Sequence, residues 1–330
     1  MIRVWGFLLV VAMLLTALPT RAQVPAFLLD AEGHPLAGRV WATRAQAFVP
    51  PETVAQAVRD ADFALLGEIH DNPDHHLLQA HLVAEMTGEG RIPALVLEML
   101  PRDRQERVDA HVASAPGDAA RFGEAVGWAD LGWPDYAMYR PILESALAAR
   151  LPVVAGDTPR EERRRVGRQG LEALGAETLA RLALDEPLDA GARARLDDVL
   201  FDGHCGLMPR AALSPMAGVQ RLRDARLAEA MIASAADGAD GAVLIAGSGH
   251  VRADFGVPVY LARLAPDAST VTVGFVEVRA DATRPAAYAE AVSGAGRRYD
   301  YVWFTPRAER GDPCAGLKER FGNAAGDGGD

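Results

Sequence analysis

Cysteine is scarce in this chain: Cys205 and Cys314 are the only two among 330 residues. Neither lies near the N-terminus, so no thiol is offered there for lipid attachment. No Cys-x-x-Cys-His run occurs, which excludes covalent c-type haem attachment. Basic tracts are missing as well. The formal net charge is −11, and the one Arg-rich stretch, "REERRRVGR" (160–168), is interleaved with Glu. That balance argues against nucleic acid as a partner. There is no His-Glu-x-x-His helix and no Gly-x-Ser-x-Gly elbow. "GSG" at 247–249 is not that elbow, because His250 follows it. The familiar protease and esterase templates therefore do not apply. A Gly/Ser/Pro linker long enough to force a second domain is absent too, so residues 23–320 are expected to form one domain.

What is present begins with an apolar run from Val4 to Leu18, preceded by Arg3 and followed by Thr20 and Ala22. The run is shorter than the roughly 20 residues of a spanning helix. It reads as a secretory signal, residues 1–22, cleaved after Ala22, which places the mature chain in the periplasm or outside the cell. Removing Arg3 and Arg21 leaves 32 basic residues against 45 acidic ones, a net charge of −13. An oxidising compartment permits a bridge between Cys205 and Cys314; two free thiols are the alternative. The tail, 321–330, reads as disordered.

Hydrophobic residues make up 49% of the chain. They gather in short, continuous runs: "FALLGE" (63–68), "PALVLEML" (93–100), "LPVVAGD" (151–157), "GAVLIAGSG" (241–249), "TVTVGFVEV" (270–278) and "YVWFTP" near the C-terminus. Continuous rather than alternating hydrophobicity predicts strands buried on both faces, as in parallel sheets covered by helices. Helical patterns lie between them. "PDHHLLQAHLVAEM" follows Asn72 as its cap, with Pro73 at the first helical position. The predicted class is α/β, a mostly parallel central sheet flanked by helices, with a largely helical insertion at about 101–235.

In such sheets, sites form outside the carboxyl ends of strands. Glu68 and His70 end the first run, Glu98 the second, Asp157 the third and His250 the fourth. Three of the eight histidines, His70, His75 and His76, fall within seven positions. "GEIH" (67–70) and "GSGH" (247–250) share the pattern Gly-x-x-His, in which Gly allows close backbone approach and unusual dihedrals. Glu98 interrupts an apolar strand, so if buried it needs an Arg or a metal as partner. Asp157 reads more readily as the cap of the following helix. "GWADLGWPDYAMYRPI" (127–142) supplies Trp133, Tyr136, Tyr139 and Arg140, either to a ligand or to a core. His204 sits beside Cys205 in a Gly-rich turn.

These segments resemble the Tiki superfamily, which includes TraB-like and erythromycin-esterase-like proteins, and more closely the ChaN-like haem-binding uptake proteins. "LLGEIHDNPDHH", "LVLEM", "GWPDYAMYRPI", "GHCGLMP", "QRLRDARLAEAM" and "LIAGSGHVRADFGVPVYL" carry the resemblance. It implies haem binding and iron acquisition outside the cytoplasm, with an outer-membrane uptake system as partner. A homodimer is compatible with it. Many relatives are lipoproteins; this chain departs from them in lacking the Cys.

For haem, the candidate contacts are His70, His75, His76, Trp133, Tyr136, Tyr139, His204 and His250, with Arg140 or Arg252 meeting a propionate. The alternative is hydrolysis by Glu68, His70 and His250, either with a His general base or with a divalent metal ion held by Glu68, His70, Glu98 and His250.

Overall fold

The computed structural model describes residues 23–319 except 88–89, 295, 313 and 316–317. The expected signal, 1–22, and the tail, 321–330, lie outside the described residues. The chain opens with β1 (Val40–Ala42), β2 (Ala47–Val49), α1 (Pro51–Asp60), β3 (Phe63–Glu68), α2 (Pro73–Met86) and β4 (Ala94–Pro101). Four helices and one strand follow: α3 (Gln105–Ser114), α4 (Ala119–Val126), α5 (Tyr136–Ala148), β5 (Val153–Asp157) and α6 (Arg160–Gln169). Next come α7 (Ala176–Arg181), α8 (Ala190–Gly203), α9 (Arg210–Ala236), β6 (Ala242–Gly247), α10 (Val257–Leu264), β7 (Thr270–Glu277), α11 (Ala289–Val292) and β8 (Tyr301–Thr305).

Among the described residues the eight strands form one sheet in the order β2-β1-β8-β7-β3-β6-β4-β5. From β8 to β5 every pairing is parallel. The hairpin β1–β2 adds an antiparallel edge beside β8. Its two strands have three residues each, too few for an alternating pattern to stand out in the sequence.

Each inner strand divides its side chains between two cores, because successive residues face opposite sides. Leu66, Leu97, Ile245 and Val273 face the layer of α1, α2 and α5. Leu65, Val96, Leu244 and Phe304 face the layer of α6, α9 and α10. The six longer runs were apolar throughout for this reason. Past the end of β4, the regular elements up to residue 235 are all helices apart from β5, joined by short loops. These helices complete both layers: α5 packs on α2, and α9 packs on β4, β5 and β6. Asn72 caps α2 as expected, its side chain accepting from the Asp74 N–H at 3.0 Å. Cys205 and Cys314 are joined in a disulfide, Cα–Cα 5.8 Å, across 109 positions.

Candidate functional site

The two Gly-x-x-His segments lie side by side. β3 and β6 are parallel neighbours, with Gly67 opposite Ala246 and Glu68 opposite Gly247. Each glycine makes room for the other segment. A Cβ on Gly67 would run into the Val251 side chain and lie 3.1 Å from the Ser248 Cα; one on Gly247 would meet Nε2 of His70 at 2.8 Å. Close approach is thus what these glycines supply. The unusual dihedrals expected of them are not found, since neither has a positive φ.

At the end of β3, Glu68 is buried and forms the hub of a cluster. Its Oε1 lies 2.7 Å from Nδ1 of His70 and accepts from the Tyr139 hydroxyl at 2.9 Å. Its Oε2 faces Nδ1 of His76 at 3.0 Å, an ion-pair contact rather than an aligned hydrogen bond. The protons of His76 follow from its neighbours. Nε2 donates to the His70 carbonyl at 3.0 Å, and Nδ1 faces Glu68 and Oε1 of Gln79. The Gln79 amide is oriented by its Nε2, which donates to the Leu66 carbonyl. Every neighbour of the ring accepts, so His76 is a buried imidazolium. Burial opposes its charge, but Glu68 outweighs burial and raises its pKa. Burial likewise opposes the charge of Glu68, and His76 and His70 outweigh it, holding that carboxyl far below the usual range.

His70 differs from its neighbours. Its side chain is 32% exposed. Nδ1 is held by Glu68, while Nε2 makes no hydrogen bond among the described residues. The Trp133 ring lies against it, centroids 4.7 Å apart, and is itself fixed by Nε1 donating to the Met99 carbonyl. Burial lowers the pKa of His70; the hydrogen bond to Glu68 and the charge of Glu98 reverse this and raise it.

The ends of β4, β5 and β6 form a second, closed cluster. Arg223 on α9 donates to Glu98 at 2.7 Å and grips Asp157 through Nε and Nη2 at 2.8–3.2 Å. Glu98 also accepts from the Gly247 N–H. Nδ1 of His250 lies 2.5 Å from Asp224, and its Nε2 lies 3.2 Å from Glu98. Burial works against a charged His250, but Glu98 and Asp224 raise it to about 9. Burial pushes Asp224 up to about 6.

The family model for haem-binding uptake proteins of the Tiki superfamily, ChaN, matches residues 54–261. The chain belongs to this family. Among solved structures, ChaN of Campylobacter jejuni, described for its cofacial heme binding, is 19% identical over 80% of this chain and 95% of that one, with a TM-score of 0.61. It shares the fold. A mutant of the erythromycin esterase EreC in its open conformation is 13% identical over 83% and 99%, TM-score 0.45. The type III effector HopBA1 is 12% identical over 78% and 93%, TM-score 0.41. Those two likenesses carry no argument about this chain. No curated protein matches.

This ChaN-family chain brings Glu68, His70, Glu98, Trp133, Tyr139 and His250 together, and sets the other predicted contacts elsewhere. Three of the predicted contacts are instead taken up within the protein. His75 is fully buried: Nδ1 accepts from the Ile69 N–H at 2.9 Å, Nε2 donates to the Thr305 hydroxyl, and burial lowers its pKa to about 3. It ties α2 to β8 and has no free nitrogen. His76 is the buried counter-ion described above. Tyr136 is half-buried, packs over Gly123 and donates to the Ala119 carbonyl at 2.5 Å, so its ring and hydroxyl are taken up against the core.

Neither guanidinium expected at a propionate is free. Arg140 is exposed and paired with Glu144, whereas Arg252 is buried and bound to Asp254 at 2.6 and 2.9 Å. His204 closes α8, with Nδ1 2.7 Å from the Leu200 carbonyl. The metal reading of Glu68, His70, Glu98 and His250 fails as well. No group of three or more His, Cys, Asp or Glu residues able to hold a metal ion occurs among the described residues. Arg223, His76 and His250 occupy the cationic places themselves. Asp157 is no helix cap but a partner of Arg223; Pro159 stands at the start of α6. Arg223 and Asp224 were missed. The signal for an Arg was Glu98 itself, a carboxylate within an apolar strand.

Proposed function

We propose that this chain is an exported haem-binding protein, periplasmic or secreted, that serves haem or iron acquisition together with an outer-membrane uptake system. Membership of the haem-binding family supports this reading. The observation that carries it to a residue is His70, which has one ring nitrogen anchored on Glu68 and the other without a hydrogen bond. A carboxylate on Nδ1 fixes the ring and raises its basicity, which is how proteins orient imidazole ligands. Haem would supply an iron for Nε2 of His70, and Trp133 would form a flat wall beside it. Tyr139, fully buried and donating to Glu68, acts as a positioning residue.

Haemin titration tests this. Wild type gives a saturable, red-shifted Soret band at one haem per chain. His70→Ala abolishes the shift, and Glu68→Gln weakens affinity by about 10–100-fold. Iron competes with a proton on His70, so affinity rises as pH rises through the raised pKa of that residue. An unchanged Soret band in His70→Ala overturns the ligand assignment. A homodimer belongs to the same proposal, and sedimentation of the haem-loaded protein checks it.

The same His70–Glu68 pair favours one other reading, hydrolysis with His70 as general base. Nε2 would take a proton from water while Glu68 orients the ring. Turnover of an ester or amide panel, lost in His70→Ala with the fold retained and with no Soret band in wild type, would select it.

A further inference from the structure

Beyond β8 the chain has no ladder to hold it. Residues 306–312 form neither helix nor strand. Among the described residues, no backbone–backbone hydrogen bond ties 306–311 to the rest of the protein. Segments tied so loosely open at low free-energy cost. Side chains hold this strap instead. The Asn72 amide donates to the Pro306 carbonyl at 3.0 Å, and the Ala308 N–H donates to Glu277 at 3.1 Å. Arg310 supplies the rest. Its Nε and Nη2 donate to the two carboxylate oxygens of Asp71 at 2.9 and 2.7 Å. Its Nη1 and Nη2 donate to those of Glu277, at the end of β7, at 2.6 and 2.7 Å. Glu277 also accepts from Asn72 at 2.8 Å. Burial works against the charge of Glu277, but the hydrogen bonds from Arg310 and Asn72 outweigh it and lower its pKa.

What the strap grips is the turn that carries His70. Asp71 follows His70 directly, and Asn72 caps α2 beside it. Asp71 makes no side-chain hydrogen bond except to Arg310 among the described residues. From within the protein the turn is held by His75, which accepts from the Ile69 N–H. From outside it is held by Arg310. A guanidinium fork on a carboxylate fixes direction as well as distance. The pair therefore limits where the His70 backbone can stand, just as Glu68 limits how its ring turns. Cys314, four positions beyond Arg310, is bridged to Cys205 just past the end of α8. Four residues reach about 14 Å at most. The bridge thus keeps Arg310 close to its partners.

We propose that Arg310 is a positioning residue for His70, and that the strap bearing it is a brace latched by the Cys205–Cys314 bridge. Its effect on haem affinity rests on the proposed role of His70; its hold on the turn does not.

Hydrogen exchange of the ligand-free protein tests the brace first. In Arg310→Gln the amides of residues 69–72 should lose protection by about tenfold, while those of β3 and β6 keep wild-type rates. Cys205→Ser combined with Cys314→Ser should speed exchange at the same turn. Haemin titration then reads the effect on His70. Arg310→Gln should weaken haemin by about tenfold, with the urea midpoint of the free protein little changed. Asp71→Asn should do the same, and the two changes together should weaken haemin no further, because both remove one interaction. Wild-type exchange at 69–72 in Arg310→Gln overturns the brace. Wild-type exchange there in the double Cys variant overturns the latch. Faster exchange with unchanged haemin affinity, or additive losses in the pair, overturns the positioning role. Faster exchange in a protein whose wild type gives no Soret shift supports the brace and rejects the haem reading, so each can fail alone.

Discussion

His70 and His250 end neighbouring strands in the same four-residue pattern, yet their surroundings differ. His70 keeps one nitrogen on Glu68 and leaves the other unbonded, beside Trp133. Both nitrogens of His250 face carboxylates, Asp224 and Glu98, in a buried network closed by Arg223. The first arrangement can receive a ligand. The second holds three strand ends, those of β4, β5 and β6, and α9 in fixed relation, and supports the wall against which His70 rests. The lesson is that an imidazole at a strand end becomes a site only where its neighbours leave it unsaturated.

The largest effect should come from opening the closed cluster. Arg223→Gln leaves Glu98 and Asp157 buried without their cation, and should destabilise the protein by about 3–5 kcal/mol in urea unfolding. A loss below about 1 kcal/mol would show that the network is not structural.

Next is the contact between the clusters. Gly247→Ala sets a methyl group where Nε2 of His70 stands. Overpacking of this kind costs about 1–3 kcal/mol. It should also displace His70 and weaken haemin binding, which the Soret titration reads directly.

The two histidines should separate by pH as well. His250 is raised from 6.5 to about 9 on folding. Its contribution to stability is complete below about 6.5 and is lost as pH rises through about 9. The urea midpoint should therefore fall across that window, and His250→Gln should flatten the fall. A slope that persists in the variant would assign it to another group.

The smallest effect belongs to an exposed pair of the same chemistry. Arg140→Ala breaks the Arg140–Glu144 bridge on the surface of α5 and should change stability by about 0.5 kcal/mol or less. The contrast with Arg223 would measure what burial adds to an ion pair.

Much of the fold was legible from residue order. Six apolar runs became the six parallel strands, because strands covered on both faces must be apolar throughout. The hairpin β1–β2 was not legible, since three residues carry no period. Glu98 announced that it needed a cation, but nothing in its own neighbourhood named Arg223, which lies 125 positions away. Asp157 looked like a helix cap because a local partner is always the simpler reading of a carboxylate before a helix. The same limit applied to Tyr136 and Arg140. A helix beside a site has several faces, and only packing selects which one meets the cleft.

By itself, then, the sequence determined the α/β class, the cap on α2, and the carboxylates and imidazoles gathered at the sheet's carboxyl edge. These follow from periodicity and local hydrogen bonding, which neighbouring residues decide. Tertiary structure alone decided that Cys205 meets Cys314, that Arg223 joins Glu98 to Asp157, and that His70 rather than His75, His76 or His250 keeps a nitrogen without a hydrogen bond. Whether a polar group is saturated depends on what distant segments bring to it.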